Sequence, residues 1–140
     1  MKKLMLAASA CALMAGAAQA EDVKIGILIG FTGPIESLTG HMANAAEAAM
    51  AEVNASGKAK NNYIPVRGDD TCTDAAAATA ATERAVTAEG VKGIIGGDCS
   101  GVTRAMLTNV AMPNGIVMVS PSATSPALTS DPDNGLFFRT

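Results

Sequence analysis

The chain has 140 residues, 49% of them hydrophobic but only 3% aromatic, with 10 basic and 13 acidic side chains. An acidic chain poor in aromatics has no footprint for nucleic acid. A single histidine, His41, leaves little material for acid–base or metal chemistry.

The first predicted segment is a leader. Met1-Lys2-Lys3 is basic, Leu4 to Ala17 is apolar or small, and Ala18-Gln19-Ala20 has the small-x-small pattern of a cleavage site. This reads as a secretory signal peptide over residues 1–20, cleaved after Ala20. The apolar run is shorter than the roughly 20 residues a membrane-spanning helix needs. Lipoprotein processing at Cys11 is the rival, although Ala8-Ser9-Ala10 before it lacks the usual leucine-like residue. The remaining 120 residues carry eight basic groups against 13 acids, a net charge of −5, and no second apolar stretch long enough to span a membrane. A soluble product exported to the periplasm is expected. Cys72 and Cys99 then remain in an oxidising compartment and read as one disulfide rather than two separate thiols. Its loop of roughly 27 residues would contribute about 3.5 kcal/mol by chain entropy.

Val23 to Ile29 is a nearly continuous apolar run, as in a strand buried on both faces. Gly30 to Gly40 reads as a loop, and His41 to Asn54 as a helix with Met42, Ala45, Ala46, Ala49, Met50 and Val53 at helical spacing. Tyr63 to Arg67 is a short strand placed near a sheet edge by Pro65, which cannot donate to a ladder. Thr73 or Asp74 caps an alanine-rich helix that ends at Glu89-Gly90, with Ala76, Ala80 and Val86 on one face. Val91 to Ile95 is a strand, Val102 to Met112 a helix broken by Pro113-Asn114-Gly115, and Ile116 to Val119 a strand. A polar loop from Ser120 to Asn134 precedes a last strand, Leu136 to Arg139. Asn54-Ala55-Ser56 matches a glycosylation triplet, a match short enough to be chance. The alternation predicts an α/β fold, a mainly parallel sheet with helices on both faces.

Three loops leave the carboxyl ends of predicted strands, where open parallel sheets bind ligands: Phe31–Gly40, Gly96–Gly101 and Ser120–Thr129. Ser100 lies at or near a helix N-terminus, which attracts anions through its free N–H groups and dipole. It reads equally well as a plain N-cap. Ser120 to Ser130 presents hydroxyls and carbonyls on a segment stiffened by Pro121 and Pro126, suited to a small zwitterion or simply to solvent. The glycines match neither a Walker loop nor a dinucleotide fingerprint. A Cys99 or Ser100 nucleophile would have only His41 as base. Asp69, Asp70 and Asp74 read as a solvated turn and a helix cap, not a metal site. No cofactor is expected.

The segments "EDVKIGILIGFTGPIESLTG", "DDTC", "GVKGIIGGDCSGVT", "GIVMVSPSATSPALT" and "LFFRT" resemble, in order and spacing, the N-terminal lobe of periplasmic amino-acid-binding proteins of the leucine/isoleucine/valine type, the receptors of ABC importers. The resemblance covers essentially all of residues 21–140 and implies the Rossmann-like lobe of a type I periplasmic binding protein. It implies a Cys72–Cys99 disulfide, a ligand carboxylate held by Ser100, and further contacts from Thr124 and the Ser122 carbonyl, with Ala123 between them. Ser37, Leu38 and Thr39 are the candidates beside the ligand side chain. A small amino acid and a membrane permease–ATPase complex are the implied partners. It also implies that the second lobe and hinge lie beyond Thr140, so that the chain reads as a truncated product or a fragment. The alternatives are a receptor's ligand-sensing domain or an amide- or urea-binding relative, and, from another class, an exported hydrolase using Cys99 or Ser100.

Overall fold

A computed structural model describes residues 20–140, so the leader and its Cys11 lie outside the described residues apart from Ala20. Five strands form one parallel sheet: β1 Asp22–Ile29, β2 Asn62–Asp69, β3 Gly93–Gly96, β4 Val117–Ser120 and β5 Phe137–Arg139. Their order is β2-β1-β3-β4-β5, and every neighbouring pair is parallel. The predicted α/β class and parallel sheet are what the chain adopts. β2 is an edge strand, where Pro65 is tolerated.

The first helix, α1, spans Glu36–Ala55 and begins five residues before the expected His41. The glycine at position 40 suggested a loop, but a glycine inside a helix costs only about 1 kcal/mol. Burial of Thr39 and Ala43 on the same face outweighs that cost. The inward stripe is Thr39, Ala43, Ala46 and Met50, with Met42 half-buried. Ala45, Ala49 and Val53, expected to face inward, are exposed. The Asn54 side chain clamps the Tyr63 backbone, donating to its carbonyl and accepting from its N–H, both at 2.8 Å. That fixes the end of α1 to β2, so the glycosylation triplet sits on a structural asparagine. Arg67 of β2 donates to Glu47 and Asn44 of α1 and stacks 5.3 Å from the Phe31 ring centre.

The second helix, α2, covers Ala75–Arg84 and continues in wider π turns through Ala85–Glu89. Asp74 caps it as expected, accepting from the N–H groups of Ala76 and Ala77 at 2.9 and 3.0 Å. Gly90 takes a left-handed φ of 75°, and Val91 N–H closes onto the Ala85 carbonyl. Its inner face is Ala78, Thr82 and Ala85; Ala76 and Ala80 are exposed, because the face that meets the sheet is set two residues further along. The third helix, α3, covers Ser100–Met106 and continues through Leu107–Ala111 and Met112–Asn114. It starts two residues earlier than expected. It stops at left-handed Gly115 rather than at Pro113, which fits inside the last turn.

Leu28, Ile94, Met118 and Phe137 pack under α2 and α3, against Ala78, Val102, Met106 and Leu107. Ile27 and Ile29 pack on the opposite face against Ala43 and Met50 of α1. The register places Ile27, Ile95, Val119 and Phe138 side by side on that second face. α1 covers only its β1–β2 half. Val117, Val119 and Phe138 on the other half are 40%, 37% and 55% exposed. The expectation of helices on both faces is therefore met in full on one face and by half on the other, among the described residues.

Candidate functional site

All five strands run the same way, so the loops after β1, β2, β3 and β4 meet at one edge of the sheet. A buried layer comes first. The Asp98 carboxylate accepts from Gly30 N–H at 3.0 Å and from Cys99 N–H at 2.9 Å, joining the ends of β1 and β3. Ser120, wholly buried at the end of β4, donates to the Gly97 carbonyl at 2.5 Å and accepts from Ala123 N–H at 2.9 Å. Ser122 donates to the Asp98 carbonyl at 3.0 Å. Arg139 of β5 reaches back to the carbonyls of Ala123 and Ser125 at 3.1 and 2.8 Å. Gly96 lets this layer close: a Cβ there would lie 1.9 Å from the Leu28 carbonyl oxygen.

The turn after β2 is tied to the same layer. Thr71 and Cys72 both take left-handed φ, at 59° and 66°. Asp69 accepts from Thr71 N–H and Asp70 from Cys72 N–H, each at 2.9 Å, which holds the turn. Burial works to raise the Asp69 carboxyl, but hydrogen bonds from Thr32 and Thr71 outweigh it and leave the group below its ordinary value. The Cys72–Cys99 disulfide then pins this turn to the start of α3, with 5.0 Å between the Cα atoms. Cys72, Cys99 and Asp98 cluster closely enough to hold an ion, but both sulfurs are spent in the disulfide. Asp70 corrects the reading of a solvated turn. It is wholly buried, and burial together with the nearby Asp98 charge pushes its carboxyl up to about 7.

Above this layer lies an exposed rim. Ser100 is the first residue of α3, and Cys99, not Ser100, occupies the N-cap position without a side-chain cap bond. The plain-cap reading of Ser100 is therefore not what the chain adopts. Its hydroxyl accepts from Ser125 N–H at 3.0 Å, which leaves its one proton to donate elsewhere. The Ser122 and Thr124 side chains are exposed on the neighbouring loop. Leu38 is 60% exposed and Ser37 is exposed, both in the first turn of α1 rather than in a loop.

Two expected rim residues lie in the buried layer instead. Ala123 is 2% exposed, with its N–H and carbonyl both held by the fold. Thr39 is fully buried, and its hydroxyl donates to the Gly30 carbonyl at 2.8 Å. Asp70, Asp98, Ser120 and Arg139 shape this edge without having been singled out as such. The signal for Asp98 was its position, an acid directly after a glycine-rich strand end and before a cysteine.

The family model for periplasmic binding proteins matches residues 22–140. The Leu/Ile/Val-binding protein of Escherichia coli K12 is 33% identical over 129 residues, covering 91% of this chain and 34% of that protein. A Leu/Ile/Val-binding protein homologue of Brucella melitensis is 40% identical over 103 residues, covering 72% of this chain and 25% of the homologue. Among solved structures, a branched-chain amino acid transporter substrate-binding protein of Streptococcus pneumoniae in complex with isoleucine superposes with a TM-score of 0.75 at 28% identity, over 85% of this chain and 33% of that one. A substrate-binding protein of Desulfitobacterium hafniense in complex with leucine gives 0.71 at 27% identity, over 85% and 34%. This chain spans about a quarter to a third of the length of these relatives. With the model match over nearly every described residue, it belongs to the periplasmic binding protein family.

Proposed function

We propose that residues 21–140 form the N-terminal lobe of an exported, non-enzymatic solute-binding protein that delivers a branched-chain or related small amino acid to an ABC importer. The residues before Glu21 act as the signal peptide, and a second lobe closes over the ligand from the far side of the rim. The observation that carries this reading is the Ser100–Ser125 hydrogen bond. It orients a hydroxyl whose free proton, beside the first N–H groups of α3, suits a carboxylate. Thr124 supplies a second hydroxyl and the Ser122 carbonyl faces the ligand ammonium, while Ser37 and Leu38 lie towards its side chain. The relatives named above, which bind leucine, isoleucine and valine, support the ligand class. The disulfide counts against a Cys99 nucleophile, and so against a hydrolase that would use it.

Calorimetry on a two-lobed chain carrying this lobe, titrated with leucine, isoleucine and valine, tests the reading. A hydrogen bond to a charged group contributes about 1.5–3 kcal/mol, so Ser100→Ala should weaken binding at least about tenfold. An unchanged dissociation constant removes Ser100 from the ligand shell. Residues 21–140 alone should bind more weakly than micromolar, since one lobe covers one side of the ligand.

A further inference from the structure

The buried layer contains a carboxyl oxygen without a donor. Asp70 Oδ1 accepts from Cys72 N–H at 2.9 Å, but Oδ2, fully enclosed, has no hydrogen-bond partner. Its surroundings are crowded: a Cβ on Gly97 would lie 2.9 Å from this oxygen, with Met106 and Thr103 each 3.0 Å from the same point. Asp98, 3% exposed, lies beside the same strand end: it accepts from Gly30 N–H at 3.0 Å, and a Cβ on Gly30 would lie 3.4 Å from Asp70 Oδ1. Two buried carboxylates this close cannot both be charged without great cost. A buried carboxyl oxygen that meets no donor is satisfied if it carries a hydrogen itself and a neighbouring acceptor takes it.

The two acids are not equivalent. Each Asp98 oxygen accepts a backbone N–H, from Gly30 and from Cys99. Asp70 has one such donor. We infer that Asp70 is a carboxylic acid in the folded protein and donates its proton to the Asp98 carboxylate, so that the pair forms one proton-binding clasp tying the end of β2 to the loop that carries Cys99 and Ser100. No basic side chain offsets the charge, since neither acid takes part in an ion pair among the described residues. β1 presents the uncharged Gly30 N–H, and α3 presents Thr103 and Met106. The Asp69 carboxylate is turned to Thr32 and Thr71, and the disulfide does not titrate.

The clasp makes the fold sensitive to rising pH. The Asp70 carboxyl stands at about 7 in the folded chain against about 3.9 in an unfolded one, so the native state alone keeps the proton between these values. Stability from this group is complete below about pH 4 and is lost as pH climbs to about 7. Asp70→Asn keeps the acceptor for Cys72 N–H and replaces the acid proton with an amide donor.

Urea denaturation of the disulfide-intact chain and of D70N, from pH 4.5 to 8.5, tests the clasp. The ratio of the wild-type to the D70N folding constant should fall by up to tenfold per pH unit below pH 7 and level off above it. A ratio that stays constant overturns the inference. Carbon NMR of labelled aspartate carboxyls in the wild-type chain is the second measurement, independent of whether D70N folds. One carboxyl should titrate at about 7, and Asp98→Asn should move it down. Titration of every aspartate in the ordinary acidic range, or a near-neutral titration that D98N leaves in place, rejects the shared proton.

Discussion

The carboxyl edge of the sheet has two levels that differ in what they do for the chain. The lower level is buried and cross-tied: Asp70, Asp98, Ser120, Ala123 and Thr39 are at most 3% exposed, and the polar groups of all but Asp70 bond at the ends of the strands. The upper level is open: Leu38, Ser122 and Thr124 are exposed, and Ser100 is half-buried. Residues adjacent in sequence fall on opposite levels, Leu38 beside Thr39 and Ala123 beside Thr124. Polarity does not separate the levels, for Thr39 and Ser120 lie deep while Leu38 stands in solvent.

Three substitutions test this division, in order of expected effect. Replacing Cys72 and Cys99 together by serine frees the 27-residue loop and should lower stability by about 3.5 kcal/mol, read as a drop in the urea midpoint without reductant. Ser120→Ala leaves the Gly97 carbonyl and the Ala123 N–H unpaired in a buried site, and should cost about 1–3 kcal/mol by the same measurement. Leu38→Ala, on the open level, should change stability by less than about 0.5 kcal/mol. If Leu38→Ala costs as much as Ser120→Ala, the two levels are not distinct in energy.

The bare half of the second sheet face offers a related contrast. Ile27 is covered by α1, whereas Val119 and Phe138, in the same register row, are exposed. β4 and β5 carry apolar residues on this exposed face as well as on the buried one. They report what the strand is suited to face, not what covers it among the described residues.

Much of the fold was legible in the residues. Runs such as Val23 to Ile29 and the Asp74 and Gly90 signals act locally, through periodicity, capping and left-handed turns, and their positions held. The cysteine pair was legible because only two cysteines lie outside the expected leader. The start of α1 was not, because Gly40 was weighed as a local signal when burial of Thr39 and Ala43 decided it. The inward faces of α1 and α2 were misplaced by a residue or two for the same reason. In small, alanine-rich helices the hydrophobic contrast between faces is slight, and contact with the sheet chooses the face.

The sequence by itself determined the alternation of strands and helices, the parallel sheet, the disulfide partners and the edge where the loops gather. These depend on local propensity and on the handedness of chain crossovers. Only the tertiary structure decided which residue of each adjacent pair faces solvent, that Ser100 is held by Ser125 rather than by its own helix, and that Asp70 and Asp98 are both buried beneath the rim. The Ser100–Ser125 and Gly30–Asp98 bonds join groups more than twenty residues apart, and their energies exist only once β1, β3 and β4 stand side by side.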